Sequence, residues 1–504
     1  MTGTILMTAM VAIVGAEAGA APTGASLAWT SADPIVVRAR GWVGDGRFAD
    51  AEALLKAEAQ AADSEAARAR REMLEIIRRI RREYSLTPED LLARVKRSLP
   101  DVTLDDLTRW REAGQVRFRM IDGQLRYFRR EPSHMFRFCP EAIERLEARS
   151  PGSSPAARSK KVQGNLIAHL EQIVAAAGKA DGPEVLPIRH RVTFKLTVSP
   201  NRPGAKAGSL VRCWLPFPQE YRQQKDVKLI RTSPAKHILA PSAVDSSPMR
   251  GAPQRTVYLE QRIQDPAKPV VFEEEFEYTS YAYYPALKAS DARALPADFD
   301  RTYLAERPPH IAFTPEIKAA VREVVGAEQN PLEKVRKIYH YLDAKVQWCP
   351  EEEYPIIPSF CTKAFTTGQG DCGVQSILFV TMCRLAGVPA RWQSGFETKP
   401  WGWNMHDWSE VYIEPWGWLP VDMSYGLQPS EKPEIREFYI GHQDSYRLIV
   451  NLDYGTPFIP AKEDLRSEPA DLQRGEVEID GRNLYFDEWD YEISFDWQPG
   501  ETGK

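Results

Sequence analysis

The sequence predicts a multidomain α+β protein, and three observations carry that prediction. Its 504 residues exceed the length at which a single hydrophobic core stops growing. Helical periodicity dominates the first part of the chain, whereas period-two alternation takes over near residue 184. The run Ser150-Pro151-Gly152-Ser153-Ser154-Pro155 between them has the composition of a linker.

The chain opens with a short apolar run, Ile5 to Val14, followed by Ala16-Glu17-Ala18-Gly19-Ala20. Small residues at alternate positions after such a run read as a signal peptide over residues 1–21, although no Lys or Arg precedes the run. A secreted or periplasmic protein is therefore expected. No cysteine lies there to carry a lipid anchor.

Residues 39–150 read as helical and rich in Arg and Glu. Gly46 to Leu55 resembles one helix of a tetratricopeptide repeat, without a second copy at the expected period. Met73, Ile76, Ile77 and Ile80 form an apolar stripe beside Arg78, Arg79, Arg81 and Arg82, as on a solvated amphipathic helix. Thr87-Pro88-Glu89 and Thr103-Leu104-Asp105 start two helices, and Val116 to Phe128 reads as a hairpin around Asp122-Gly123. This helix–helix–hairpin order resembles a winged-helix module, which admits nucleic-acid or protein contact. A linker and helix fill residues 151–183. Alternation at His190–Val198, Thr256–Leu259 and Val271–Tyr278 predicts a β-sandwich over residues 184–285, shaping a cleft wall or partner surface. Residues 286–450 form the core, opened by the stripe Leu332, Val335, Ile338, Tyr339, Leu342 and Val346. Residues 451–504 are a strand-rich extension, expected to add edge strands or to pack on the core.

The chemistry concentrates in that core. Gly370-Asp371-Cys372-Gly373 precedes the apolar run Val374 to Val380, which places a thiol at the N-terminus of a buried helix. There the unpaired N–H groups and the helix dipole favour a thiolate. His406 and Trp408–Glu414 belong to an alternating strand, Pro415-Trp416-Gly417 supplies a turn, and Leu419–Asp422 returns. On such a hairpin Asp422 accepts from one imidazole nitrogen of His406 and leaves the other for the thiol. An imidazolium beside the thiol lowers its pKa further. The N–H of Cys372 is a candidate oxyanion donor. Cys383, deeper in the same helix, reads as an inert core residue.

These blocks resemble those of the transglutaminase-like superfamily. Gly370-Asp371-Cys372 through Arg384-Leu385-Ala386-Gly387-Val388-Pro389-Ala390-Arg391 resembles its nucleophile helix and exit loop. His406 to Val411 and Gly417 to Asp422 resemble its other two blocks. His406 follows Cys372 by 34 residues and Asp422 follows His406 by 16. The resemblance covers about residues 310–450. It implies a papain-like core with Cys372 as nucleophile, His406 as general base and acid, and Asp422 as the group orienting His406. Asp407 departs from the small residue usual there and adds a charge beside His406. Trp348 is a candidate neighbour of the oxyanion, as an aromatic is in some relatives.

Five tryptophans cluster near His406. Trp408 and Trp418 read as packing residues, and Trp401 and Trp403 are candidates to face substrate. Cys349 and Cys361 bracket a loop before the nucleophile and are either a disulfide pinning that loop or two separate thiols. No cofactor is expected, and no Cys-x-x-Cys or His cluster suggests zinc. A net charge of −5 argues against bulk attraction to nucleic acid, and no interior stretch is long and apolar enough for a membrane span. The expected function is an enzyme acting on peptide or side-chain amides through a Cys372 thioester. Hydrolysis (protease, amidase or deamidase) is preferred over cross-linking, and a non-catalytic binding protein is the competing class.

Overall fold

A computed structural model of the chain describes residues 26–58, 64–243 and 251–499. The segment 1–21 lies outside them.

The helix Cys372–Leu385 is the axis of the core. Asp371 caps it by accepting from the N–H of Val374 at 3.1 Å. Every residue from Gly373 to Arg384 is buried. Among them Val374, Ile377, Leu378, Phe379, Val380 and Met382 are fully shielded from solvent. At roughly 1.5–3 kcal/mol each, their burial contributes about 9–18 kcal/mol. That anchorage fixes where the helix N-terminus points. Pro331–Lys345 packs against it through Leu332, Val335, Ile338, Tyr339 and Leu342, the expected stripe.

A four-stranded antiparallel sheet also packs on this helix, in the order Gly417–Val421, Gly402–Ile413, Ala390–Lys399, Arg447–Asn451. The register pairs Ser409 with Val421 and Gly395 with His406. Gly395 is required, because a Cβ there would collide with the carbonyl of Leu448 where the register shifts.

The sandwich has two sheets. One runs Trp489–Pro499, Glu184–Val198, Val270–Tyr283, Gln224–Ser233; the other runs Arg482–Leu484, Glu476–Ile479, Leu210–Pro216, Thr256–Arg262, His237–Leu239. Val192, Phe194, Leu196 and Val198 alternate inward, as the period of two requires. The C-terminal strands belong to this sandwich: Trp489–Pro499 runs along Glu184–Val198, and Glu476–Ile479 pairs with Leu210–Pro216.

In the N-terminal part, helices Pro88–Lys96 and Leu104–Glu112 each open with a reciprocal Thr–Asp capping box. The hairpin Phe118–Ile121 and Gln124–Tyr127 turns at Asp122 and Gly123, both at positive φ. The Glu65–Glu83 helix differs from a simple solvated helix. Its apolar stripe is core, but Arg79 is buried as well, with its guanidinium 4.2 Å from the Tyr485 ring centroid.

Charged contacts join this module to the core at a loop of three consecutive glutamates. Arg117 pairs with Glu351 at 2.8 Å, and Arg129 and Arg130 each reach Glu353 at 2.7 Å. Arg119 lies 3.6 Å from Glu352, and Lys363 pairs with Glu352 from the core side at 2.6 Å. Against the opposing effect of burial, Lys363 and then Arg119 hold the Glu352 carboxyl down at about 2, and Arg474, at 2.8 Å, then Arg130 and Arg129 hold the Glu353 carboxyl lower still. Cys349 and Cys361, like the other four cysteines, are free. Ion pairs, not a disulfide, pin the loop beside the site. Among the described residues no helix is long and apolar enough to cross a membrane.

Candidate active site

Cys372 is the first residue of its helix, so its backbone N–H has no carbonyl within the helix to pair with. The residue is partly exposed and lines a cavity of about 680 Å³. His406 and Trp348 line the same cavity.

His406 and Asp422 meet across the hairpin. His406 Nε2 lies 2.7 Å from Asp422 Oδ2, which leaves Nδ1 free for a second partner. Asp422 follows the last residue of its strand, and two donors besides His406 hold it. Arg447 Nη1 donates to Oδ2 at 2.8 Å and Ser424 Oγ to Oδ1 at 3.3 Å. Burial works to raise the Asp422 carboxyl, but His406 and Arg447 hold it below the ordinary range. Arg447 donates its other arm to Asp444 at 2.7 Å, so a buried cation is shared by two carboxylates. The His406 ring stands edge-on to Tyr425 at 5.2 Å. Its orientation is thereby set from two directions.

The thiol itself faces a different group. Cys372 Sγ donates to Asp407 Oδ2 at 3.4 Å. Asp407 also receives Gln473 Nε2 on Oδ1 at 3.0 Å. The Tyr354 hydroxyl lies 2.9 Å from Asp407 Oδ2 and 3.1 Å from both oxygens of Asp371. One hydroxyl hydrogen serves one carboxylate at a time, so a proton held on Asp371 or Asp407 completes the set. The electrostatics agree. Burial first, then repulsion by Asp371, raises Asp407 to about 8; burial first, then Glu351, raises Asp371 to about 7.

Burial, then Asp407 and Asp371, push the resting thiol well above its ordinary pKa. This reverses the expectation of a thiol acidified by its helix end and an imidazolium. Burial of the sulfur and the two carboxyls outweigh the dipole. Gly373 accommodates the cluster, since a Cβ there would run into the Tyr354 hydroxyl, the Trp392 ring and Asp407.

Trp408 and Trp418 are buried packing residues. Trp401 and Trp403 stand about one-third exposed, pack on Tyr446 and on Phe396 and Phe495 respectively, and do not line the cavity. Trp348 does line it, with the Arg137 guanidinium 4.5 Å from its ring centroid. Cys383 is fully buried. Among the described residues no group of three or more His, Cys, Asp or Glu is arranged to hold a metal ion. Sequence reading missed Tyr354, Arg447 and Gln473. Each acts through a contact between segments distant in the chain, and no local pattern marks it.

Residues 318–423 match the model of the transglutaminase-like superfamily, and the core is of that type. No curated protein matches the chain. Among solved structures, one from Cytophaga hutchinsonii, provisionally described as a cysteine protease, is 13% identical with a TM-score of 0.42. The match covers 64% of this chain and 93% of that one. The periplasmic domain of TgpA from Pseudomonas aeruginosa is 17% identical with a TM-score of 0.26, over 54% of this chain and 94% of that one.

Proposed function

We propose that this transglutaminase-like chain is a cysteine hydrolase that cleaves peptide or side-chain amides through a thioester on Cys372. One observation carries the reading: His406, held 2.7 Å from Asp422, lines the same cavity as a thiol at a helix N-terminus. In the proposed cycle His406 takes the thiol proton, and Sγ bonds to the amide carbon. The C–N bond then breaks, and the amine leaves with the proton from His406. Water attacks the thioester with His406 as base, the C–S bond breaks, and the acid and the thiol are regenerated. Asp422, held by Arg447, keeps the imidazole in one tautomer and supports its charge. Because the resting thiol donates to Asp407, each turnover begins by exchanging that hydrogen bond for one to His406.

Hydrolysis is favoured over transfer to a second amine by the cavity wall. Glu397, Lys399, Asp407 and Ser424 line it and supply polar groups to hold water. Incubation of the protein with a defined peptide mixture, with and without an added primary amine, tests this by mass spectrometry. Fragments whose masses sum to that of a substrate plus one water, or a substrate with a side-chain amide converted to the acid, both absent with Cys372→Ala, are expected. Amine adducts as the main product would make the enzyme a transferase. No product under any condition would overturn the enzymatic reading.

A further inference from the structure

The cavity that holds Cys372 does not end at the core. Arg130, Arg137, Trp348 and Pro350 line it, and the same four line a second groove of about 1110 Å³ on the N-terminal module. Five arginines border that groove: Arg94, Arg97, Arg129, Arg130 and Arg137. Its one acidic residue, Glu131, is buried, and the N–H groups of Arg117 and Met135 and the ring of His134 occupy its carboxylate. Glu83 and Glu353 neutralise Arg129, and Glu353 is shared with Arg130. Arg94 donates to the carbonyl of Arg129 at 2.7 Å, and among the described residues no carboxylate forms an ion pair with it. Arg137 stands at the junction of cavity and groove. Its guanidinium stacks on Trp348, and among the described residues no carboxylate forms an ion pair with it.

We propose that this groove binds an acidic stretch of the peptide substrate, with Arg137 as its principal carboxylate contact at the approach to the thiol. The proposal rests on the amide-cleaving reading of Cys372 for the identity of the ligand as a peptide. A half-buried guanidinium without a counter-ion is held at an electrostatic cost that an incoming carboxylate removes. The planar fork of arginine receives a carboxylate bidentately while its face stays on the indole. Phe136, Leu146, Pro132 and Pro155 line the same groove and give it apolar surface for side chains between the acids. The chain's net charge of −5 makes the groove a local exception and weakens any long-range attraction for nucleic acid. The N-terminal module would thus select substrates for the core on which it is docked.

The test uses the full chain carrying Cys372→Ala and three fluorescein-labelled probes: an octapeptide rich in Glu, its Gln isostere, and oligo-dT of eight nucleotides. Fluorescence anisotropy should show the Glu peptide binding at least tenfold more tightly than the Gln peptide. Arg137→Gln should reduce Glu-peptide affinity about 10–100-fold, and Arg137→Lys less. Arg97→Gln, an exposed substitution that threatens folding little, should weaken it a few-fold and flatten its salt dependence. Equal binding of the two peptides, or a Glu-peptide affinity untouched by both Gln variants, overturns the proposal. So does Arg137-dependent binding of oligo-dT that exceeds that of the Glu peptide. Because these measurements use a protein without the thiol, they stand apart from catalysis. Arg137-dependent peptide binding alongside an inert wild-type Cys372 would retain the groove and remove the hydrolase.

Discussion

Asp407→Asn is the most revealing substitution, because it keeps the size and polarity of the group beside the thiol and removes its charge. An ionised Asp407 at 3.4 Å from Sγ opposes thiolate formation. At an effective dielectric constant of ~20 the interaction is about 5 kcal/mol, or ~3–4 pKa units before solvent screening. Asp407 titrates at about 8, so it carries its proton at pH 6 and has lost it by pH 10. The variant should therefore react like wild type below about pH 7 and faster above about pH 9, by a factor of ~10 or more. The assay is the rate of iodoacetamide alkylation at Cys372 against pH, read by mass spectrometry of the Cys372 peptide. A rate ratio constant from pH 6 to 10 would refute the electrostatic coupling. Stability supplies a second readout with a definite sign. An unfolded Asp ionises near 3.8 and this one near 8, so between those values the unfolded state binds fewer protons and stability falls as pH rises. Asp407→Asn should accordingly melt higher than wild type at pH 8, with the gap closing towards pH 4.

Asp422→Asn should leave the fold intact and lower kcat by about 10²–10⁴-fold, since the imidazole loses its tautomer control; steady-state kinetics on any identified substrate checks this. Arg447→Met strands two buried carboxylates, Asp422 and Asp444, and should destabilise the protein by ~3–5 kcal/mol in urea titration. The docking of the N-terminal module depends on Glu352 and Glu353, whose carboxyls sit below their unfolded value. Its stabilisation is complete above about pH 5 and is lost as pH falls towards 2. Limited proteolysis between pH 6 and 3 should show the segment near residues 150–155 becoming cleavable at the acidic end, and earlier in Glu353→Gln.

The elements of the core are legible in the sequence because each carries a local signature. The Gly370–Gly373 turn marks a helix start, the alternation after His406 marks a strand, and Pro415-Trp416-Gly417 marks the turn that brings Asp422 back. What Asp407 faces is not legible. Its strand position says which side of the sheet it occupies, but its contact with Cys372 depends on how the helix N-terminus is set against that sheet. Tyr354 and Arg447 enter from loops and strands whose own sequences look ordinary. The same limit explains the sandwich. Trp489–Pro499 alternates plainly, yet its partner Glu184–Val198 lies some 300 residues earlier, and pairing over that separation leaves no local trace. The glutamate loop shows the complementary case. Cys349 and Cys361 draw attention as a potential staple, while the arginines that pin the loop come from a different module.

The central claim is that Cys372 is the nucleophile and His406 the group that takes its proton. The most direct measurement is a brief reaction with substoichiometric iodoacetamide at pH 8, followed by quantification of label on all six cysteines. Comparison of wild type with His406→Ala completes it. The account predicts label concentrated on Cys372, none on buried Cys383, and a fall of at least tenfold at Cys372 in the His406→Ala protein. Labelling of Cys372 no faster than that of the buried cysteines, or unchanged without His406, would contradict it.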